Sequence, residues 1–154
     1  ARPITLLTLL LQTGIKKSEC LSIRINHLDL NTPNGPMLFI RYTNSRNRYK
    51  ERDLSLSAEW ADFYQTYQAQ YTPNEQVFPW SPRRLEYILE DLSLAAGLSK
   101  HVSFDMCRWT CALNDWLAGM EKETLRQKLG ISAIQWREVQ LKLRRLAEQV
   151  PLSA

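Results

Sequence analysis

Hydrophobic and polar positions along this chain change period several times, and each change marks an element. PITLLTLLLQ, residues 3–12, reads as an amphipathic helix that breaks at Thr13-Gly14. Residues 16–25 place Cys20, Leu21 and Ile23 at helical spacing and predict a second, short helix. NTPNGP, 31–36, is a turn cluster. MLFIRYT (37–43) alternates and is rich in strand formers, and DLSLS (53–57) alternates again. The two predict an antiparallel hairpin with a long polar, cationic tip, NSRNRYKER.

The helical period returns after Ser57, a good N-cap, with Trp60, Phe63, Tyr64 and Tyr67 at i, i+3, i+4 and i+7. The loop TPNEQVFPWSP leads into a helix over 83–97 that ends on Gly97. Three more helices are expected over about 103–118, 121–129 and 132–148, with Gly119 and Gly130 as stops and Ser132 as a cap. No repeat, low-complexity stretch or internal boundary interrupts the pattern. The expectation is one α+β domain over 1–154, mainly α, with a small antiparallel β-sheet near the front.

Composition leaves that picture in place: 44% apolar and 23% charged residues describe a globular chain with a real core. No apolar run reaches the ~20 residues of a membrane helix, and the first helix lacks a signal-peptide cleavage site. Cys20, Cys107 and Cys111 have no metal-ligand spacing and read as reduced, buried thiols of a cytoplasmic protein. The chain opens on alanine, so the expectation includes a longer parent protein.

Charge adds one feature. The net charge of +4 equals the local excess within RYTNSRNRYKER, where Arg41, Arg46, Arg48, Lys50 and Arg52 face only Glu51. Two readings stand open: a surface for a polyanion, or a solvated hairpin whose charges protect a sheet edge.

The chemistry centres on FDMCRWTCAL, 104–113, which sets Arg108 in an otherwise apolar, helical run. A long cation beside Met106, Cys107, Trp109 and Cys111 needs a partner. Asp105, three residues earlier, is the geometric candidate within the helix; a bound phosphate is the other.

Three stretches form a recognisable series: TGIKKSECLSI (13–23), DMCRWTCA (105–112) and Leu129-Gly130-Ile131, with Gly119 midway between the last two at eleven-residue intervals. In this order the chain resembles the C-terminal catalytic domain of the tyrosine recombinases (phage integrases) over roughly 3–148. The family boxes are TG-(L/I)-R-x-S-E-L-x-x-L, H-x-L-R-H-x-F-A and L-G-H. The resemblance implies a DNA breaking-rejoining fold, with duplex DNA as partner, no metal or cofactor, no membrane, a cytoplasmic or nucleoid setting and a role in DNA integration and recombination. It also implies an N-terminal DNA-binding domain outside this chain and a homo-oligomer formed through the C-terminal helix.

In the family, a tyrosine attacks the scissile phosphate, two arginines stabilise the transition state, a hairpin lysine protonates the leaving oxygen, and histidines or a tryptophan assist. Mapped onto this chain, Arg108 is the one arginine retained. Lys16 takes the first arginine's place, Asp105 the first histidine's, Trp109 the second's and Ile131 that of L-G-H. The nucleophile's place, nine residues past Ile131, holds Gln140. Lys50 is the candidate hairpin lysine; in the alternative register Asn47 takes that place. The six tyrosines all lie at or before residue 87, so no small shift of register supplies one near 140. Ser132 offers a hydroxyl but is better used as a cap.

The resemblance therefore implies a non-cleaving relative, a pseudoenzyme. Its DNA contacts would be Lys16, Arg46, Arg48, Lys50, Arg83, Arg84 and Arg108, all toward the backbone. A protein-interaction scaffold that has lost DNA binding, a site-specific regulator, and an active enzyme with an unrecognised nucleophile stay open as alternatives. His27 and His101 match no family position, and Trp60, Trp116 and Trp136 read as core.

Overall fold

The structure, a computed structural model, describes residues 2–97 and 101–150. Helix α1 (Arg2–Thr13) is the central rod: Leu6, Leu9 and Leu10 are fully buried, each contributing about 1.5–3 kcal/mol of apolar burial. The indole N–H of Trp60 and the hydroxyl of Thr5 tie this rod to helix α3 (Ala58–Tyr71), through Thr5 O at 3.0 Å and Phe63 O at 3.2 Å. Ser57 caps α3 as expected, accepting from the N–H of Trp60. Helix α4 (Pro82–Ala95) begins behind Ser81, with proline in its first turn.

The expected helix over 16–25 is shorter. Helix α2 covers Lys17–Ser22, Ile23 turns extended, and a 3-10 turn follows at Ile25–His27. Next comes a strand the hydrophobic pattern did not predict, β1 (Leu28–Thr32). It pairs antiparallel with β2 (Gly35–Ile40), which pairs antiparallel with β3 (Arg52–Ser55), giving the order β1-β2-β3. Asp29 and Asn31, poor strand formers, hide the alternation that puts Leu28 and Leu30 against the core. The hairpin tip is not an open loop either. Ser45–Lys50 forms a 3-10 helix capped by Asn44, whose side chain accepts from Arg46 N.

Helices α5 (Phe104–Leu117), α6 (Lys122–Leu129) and α7 (Ala133–Gln149) lie within two residues of expectation. Ser103 and Ser132 supply the caps of α5 and α7. Two apolar clusters result. The larger gathers α1 to α4, the sheet and the Phe104–Cys107 side of α5. The smaller joins Ala112 of α5 to Leu125 and Leu129 of α6 and Trp136 and Leu143 of α7. Helix α5 is the shared wall, and α7 folds back on α5 of its own domain. Trp60 and Trp136 are buried, and Trp116 packs against Trp136 with ring centroids 6.5 Å apart. Among the described residues, no helix is long and apolar enough to cross a membrane, and no cluster of His, Cys, Asp or Glu could hold a metal.

Candidate nucleic-acid interface

Arg108 stands in the second turn of α5, on the seam between the two clusters. Its guanidinium donates from Nη1 to Gly14 O at 2.5 Å and from Nη2 to Leu129 O at 2.7 Å. Both acceptors are carbonyls at helix ends, which lack an intrahelical partner and carry the negative end of the helix dipole. One arginine thus fastens the ends of α1 and α6 together. Asp105 is exposed and makes no ion pair with Arg108 among the described residues, which corrects the within-helix pairing. Two carbonyls in fixed positions outcompete one solvated carboxylate on the first turn.

A second arginine does parallel work. Arg52, 8% exposed, opens β3 and donates from Nε to Lys128 O at 2.7 Å and from Nη1 to Lys50 O at 2.6 Å. It meets both carboxylate oxygens of Glu19, at 2.6 and 2.8 Å. Glu19, only 4% exposed, also accepts from the Tyr42 hydroxyl and from Lys16 N at 2.9 Å. Burial opposes its charge, yet the Arg52 bonds and charge prevail and hold its carboxyl down at about 2. Tyr42 moves the other way: burial first, then Glu19, raises its hydroxyl above the usual phenol range.

Lys16 and Lys50 close the group. Burial holds the Lys16 ammonium below the usual lysine range, with Arg108, Lys50 and Arg52 acting in the same direction against the pull of Glu19. Lys50 sits over the rings of Tyr42 and Tyr49, with its Nζ 5.8 and 5.7 Å from their centroids. Lys16, Lys50 and Arg108 thus gather beside the Glu19–Arg52 pair, and among the described residues Arg52 alone holds that carboxylate in an ion pair. On the far side Arg108 borders an apolar cavity of about 30 Å³ with Trp109, Ile131 and Val139 in its wall. The arrangement suits an anion held by charge and N–H donors.

No family model and no curated protein match the sequence. Solved structures do. XerA recombinase superposes with a TM-score of 0.76 at 20% identity, covering 96% of this chain and 56% of that one. XerH site-specific recombinase bound to difH substrate gives 0.74 at 17%, covering 96% and 45%. The Tn1549 transposon integrase in complex with transposon right end DNA gives 0.67 at 15%, covering 95% and 59%. This chain has the tyrosine recombinase catalytic-domain fold. It spans about half the length of the structures it matches.

Within this recombinase fold the positions singled out in the sequence divide in two. Lys16, Lys50 and Arg108 come together. Arg46 and Arg48 are exposed on the 3-10 tip, and Asn47 is half-buried beside them. Arg83 and Arg84 are exposed on the first turn of α4, where Arg83 donates from Nε to the Tyr87 hydroxyl at 3.2 Å. A Lys17–Glu86 ion pair brings α4 beside α2. Ile131 is buried. Trp109 is covered by Lys142, whose Nζ lies 3.9 Å from the ring centroid. Gln140 is half-buried on α7. Of the six tyrosines, Tyr64, Tyr67 and Tyr71 belong to α3 and Tyr87 to α4; Tyr49, on the tip, meets the cationic group through its ring under Lys50, and Tyr42 meets it through both ring and hydroxyl. The raised pKa of Tyr42 and its bond to a carboxylate near pKa 2, a very weak base, are the reverse of nucleophile activation.

Glu19, Arg52, Gly14 and Gly130 were not singled out for the site, although all four shape it. Glu19 and Gly14 stand inside TGIKKSECLSI, and Arg52 closes the basic stretch. The pairing of Glu19 with Arg52 was invisible in the sequence, because 33 residues separate them.

Proposed function

We propose that this domain is a non-cleaving tyrosine-recombinase relative that binds duplex DNA through backbone phosphates. The observation that carries the reading is the combination at one centre: Lys16, Lys50 and Arg108 converge without, among the described residues, an ion-paired carboxylate of their own, while the nucleophile's position holds Gln140. The hairpin tip, with Arg46 and Arg48 exposed, extends the cationic surface away from the centre, and Arg83 and Arg84 on α4 add a second contact. Phosphate contacts of this kind fix position on the duplex and carry little sequence information. Site choice belongs to the flanking N-terminal domain expected outside this chain. DNA binding in integration or recombination is the setting this supports, with strand transfer left to an active partner.

Affinity for mixed-sequence duplex DNA at two salt concentrations tests this, on the native chain and on Arg46→Ala/Arg48→Ala/Lys50→Ala. The native log–log slope should be steep, with each phosphate contact contributing about −0.9, and should flatten by two to three contacts, roughly 2 to 3 in slope, in the triple variant. No binding at low salt removes the reading. It would favour a protein-interaction scaffold, for which the exposed Ile134 (76%) and Leu141 (52%) on α7 offer a surface.

A further inference from the structure

Lys16, Lys50 and Arg108 pose an electrostatic problem that a duplex backbone solves only in part. Arg52 and Glu19 neutralise each other through two short bonds. Of the remaining cations, Arg108 spends two donors on Gly14 O and Leu129 O, which carry no net charge. Lys50 spends its charge on the faces of two tyrosines. Among the described residues, none of the three makes an ion pair. Three half-buried cations, one flanked by the apolar wall of Trp109, Ile131 and Val139, repel one another in a medium that screens poorly.

A phosphodiester brings a single negative charge to such a centre. A terminal phosphate monoester brings nearly two, with a second ionisation near pH 6, and three oxygens free of a second ester link. We infer that this centre selects a terminal phosphate monoester, at a nick or strand end in duplex DNA, over the internal diester. The inference rests on the phosphate-binding reading above and names the chemical class that fills the centre. Such a ligand needs no nucleophile. At a nick, the duplex on either side keeps the backbone within reach of Arg46 and Arg48, so the centre receives the monoester without losing the tip contacts.

The charged and titratable groups facing the ligand are Lys16 and Glu19 from α2 and the residue before it, and Tyr42, Lys50 and Arg52 from the hairpin. Arg108 and Asp105 face it from α5. His27 lines a small cavity with Glu19 behind the sheet. Comparing two ligands at each pH cancels those protein titrations that do not couple to the added phosphate.

The experiment is fluorescence anisotropy with four dye-labelled duplexes of one sequence: intact, nicked with 5′-phosphate, nicked with 3′-phosphate, and nicked with hydroxyls on both sides. Inorganic phosphate serves as competitor. At pH 7.5 one phosphate-bearing nick should bind about tenfold tighter than both the intact duplex, which offers the diester, and the hydroxyl nick. That ratio should fall toward unity at pH 5, where the monoester carries one charge. Inorganic phosphate should displace the surplus. Lys16→Gln should bring the ratio of phosphate-nick to hydroxyl-nick affinity to about one, whatever it does to the two affinities together, read after a melt verifies folding; Lys50→Gln is the second variant if the first does not fold. Equal affinity for all four duplexes overturns the inference and leaves the duplex-binding reading standing. Absence of binding to any of them overturns both. A preference that persists unchanged at pH 5 also overturns it.

Discussion

A β-carbon on Gly130 would lie 2.4 Å from Nη1 of Arg52 and 2.7 Å from its Cζ. The glycine ends α6 with φ at +67°, and the space a side chain would need is filled by the guanidinium reaching across from β3. The L-G of the third box is therefore needed twice, for left-handed backbone and for the approach of a buried arginine. Gly130→Ala should destabilise the domain by at least about 2 kcal/mol, from the left-handed strain and the displaced ion pair together. Urea unfolding followed by circular dichroism measures it. A loss under about 0.5 kcal/mol would mean that Arg52 moves aside freely.

The Glu19–Arg52 pair makes a prediction in acid. The folded carboxyl sits near 2 against an ordinary value of 4.5. A lowered carboxylate pKa gives stability that is complete above about 4.5 and is lost as pH falls toward 2, up to about 3 kcal/mol. Stability against pH should decline across that window in the native chain and run flatter in Glu19→Gln. Arg52→Met, which strands the buried carboxylate, should cost about 3–5 kcal/mol at pH 7.

Arg108→Lys should keep the charge and lose the clasp. A lysine has no planar fork to span Gly14 O and Leu129 O. The expected loss is about 2–3 kcal/mol, since the bonds it leaves are to a charged donor. Measuring stability and DNA affinity on the same variant separates the two roles: stability should drop clearly, while affinity at low salt should change by less than about fivefold.

Gln140→Tyr should not create an enzyme. A restored phenol on α7 would still lack the first arginine, the two histidines and the L-G-H side chain, with Lys16, Asp105, Trp109 and Ile131 in their places. Removing one transition-state donor already costs about 2.7–4 kcal/mol. The expected result is no covalent protein–DNA adduct on a nicked duplex after overnight incubation, read on a denaturing gel. A detectable adduct would show that the surviving cations suffice.

The helical half was legible because its signals are local: Ser57 and Ser132 as caps, with Gly97, Gly119 and Gly130 as stops, frame apolar runs that place α4 to α7 within two residues. Strand β1 was not, since Asp29 and Asn31 mask a pattern carried by Leu28 and Leu30 alone. The 3-10 tip was also hidden, because SRNRYK has no apolar period to betray it. At the site, the positions themselves could be read from the boxes, whereas the partners could not. For Arg108 the candidates were Asp105, its nearest carboxylate in sequence, and a bound phosphate; the guanidinium instead holds a carbonyl 94 residues away.

That clasp changes what the surviving arginine means. A side chain that joins two helix ends is kept by the need to fold, whatever the chain binds, and would persist in a descendant with no remaining contact with nucleic acid. Arg108 is therefore poor testimony to function despite being the best-matched residue. Lys16 and Lys50, whose ammonium groups hold no backbone together, are the positions where drift toward a neutral residue would be free if nothing anionic were bound there.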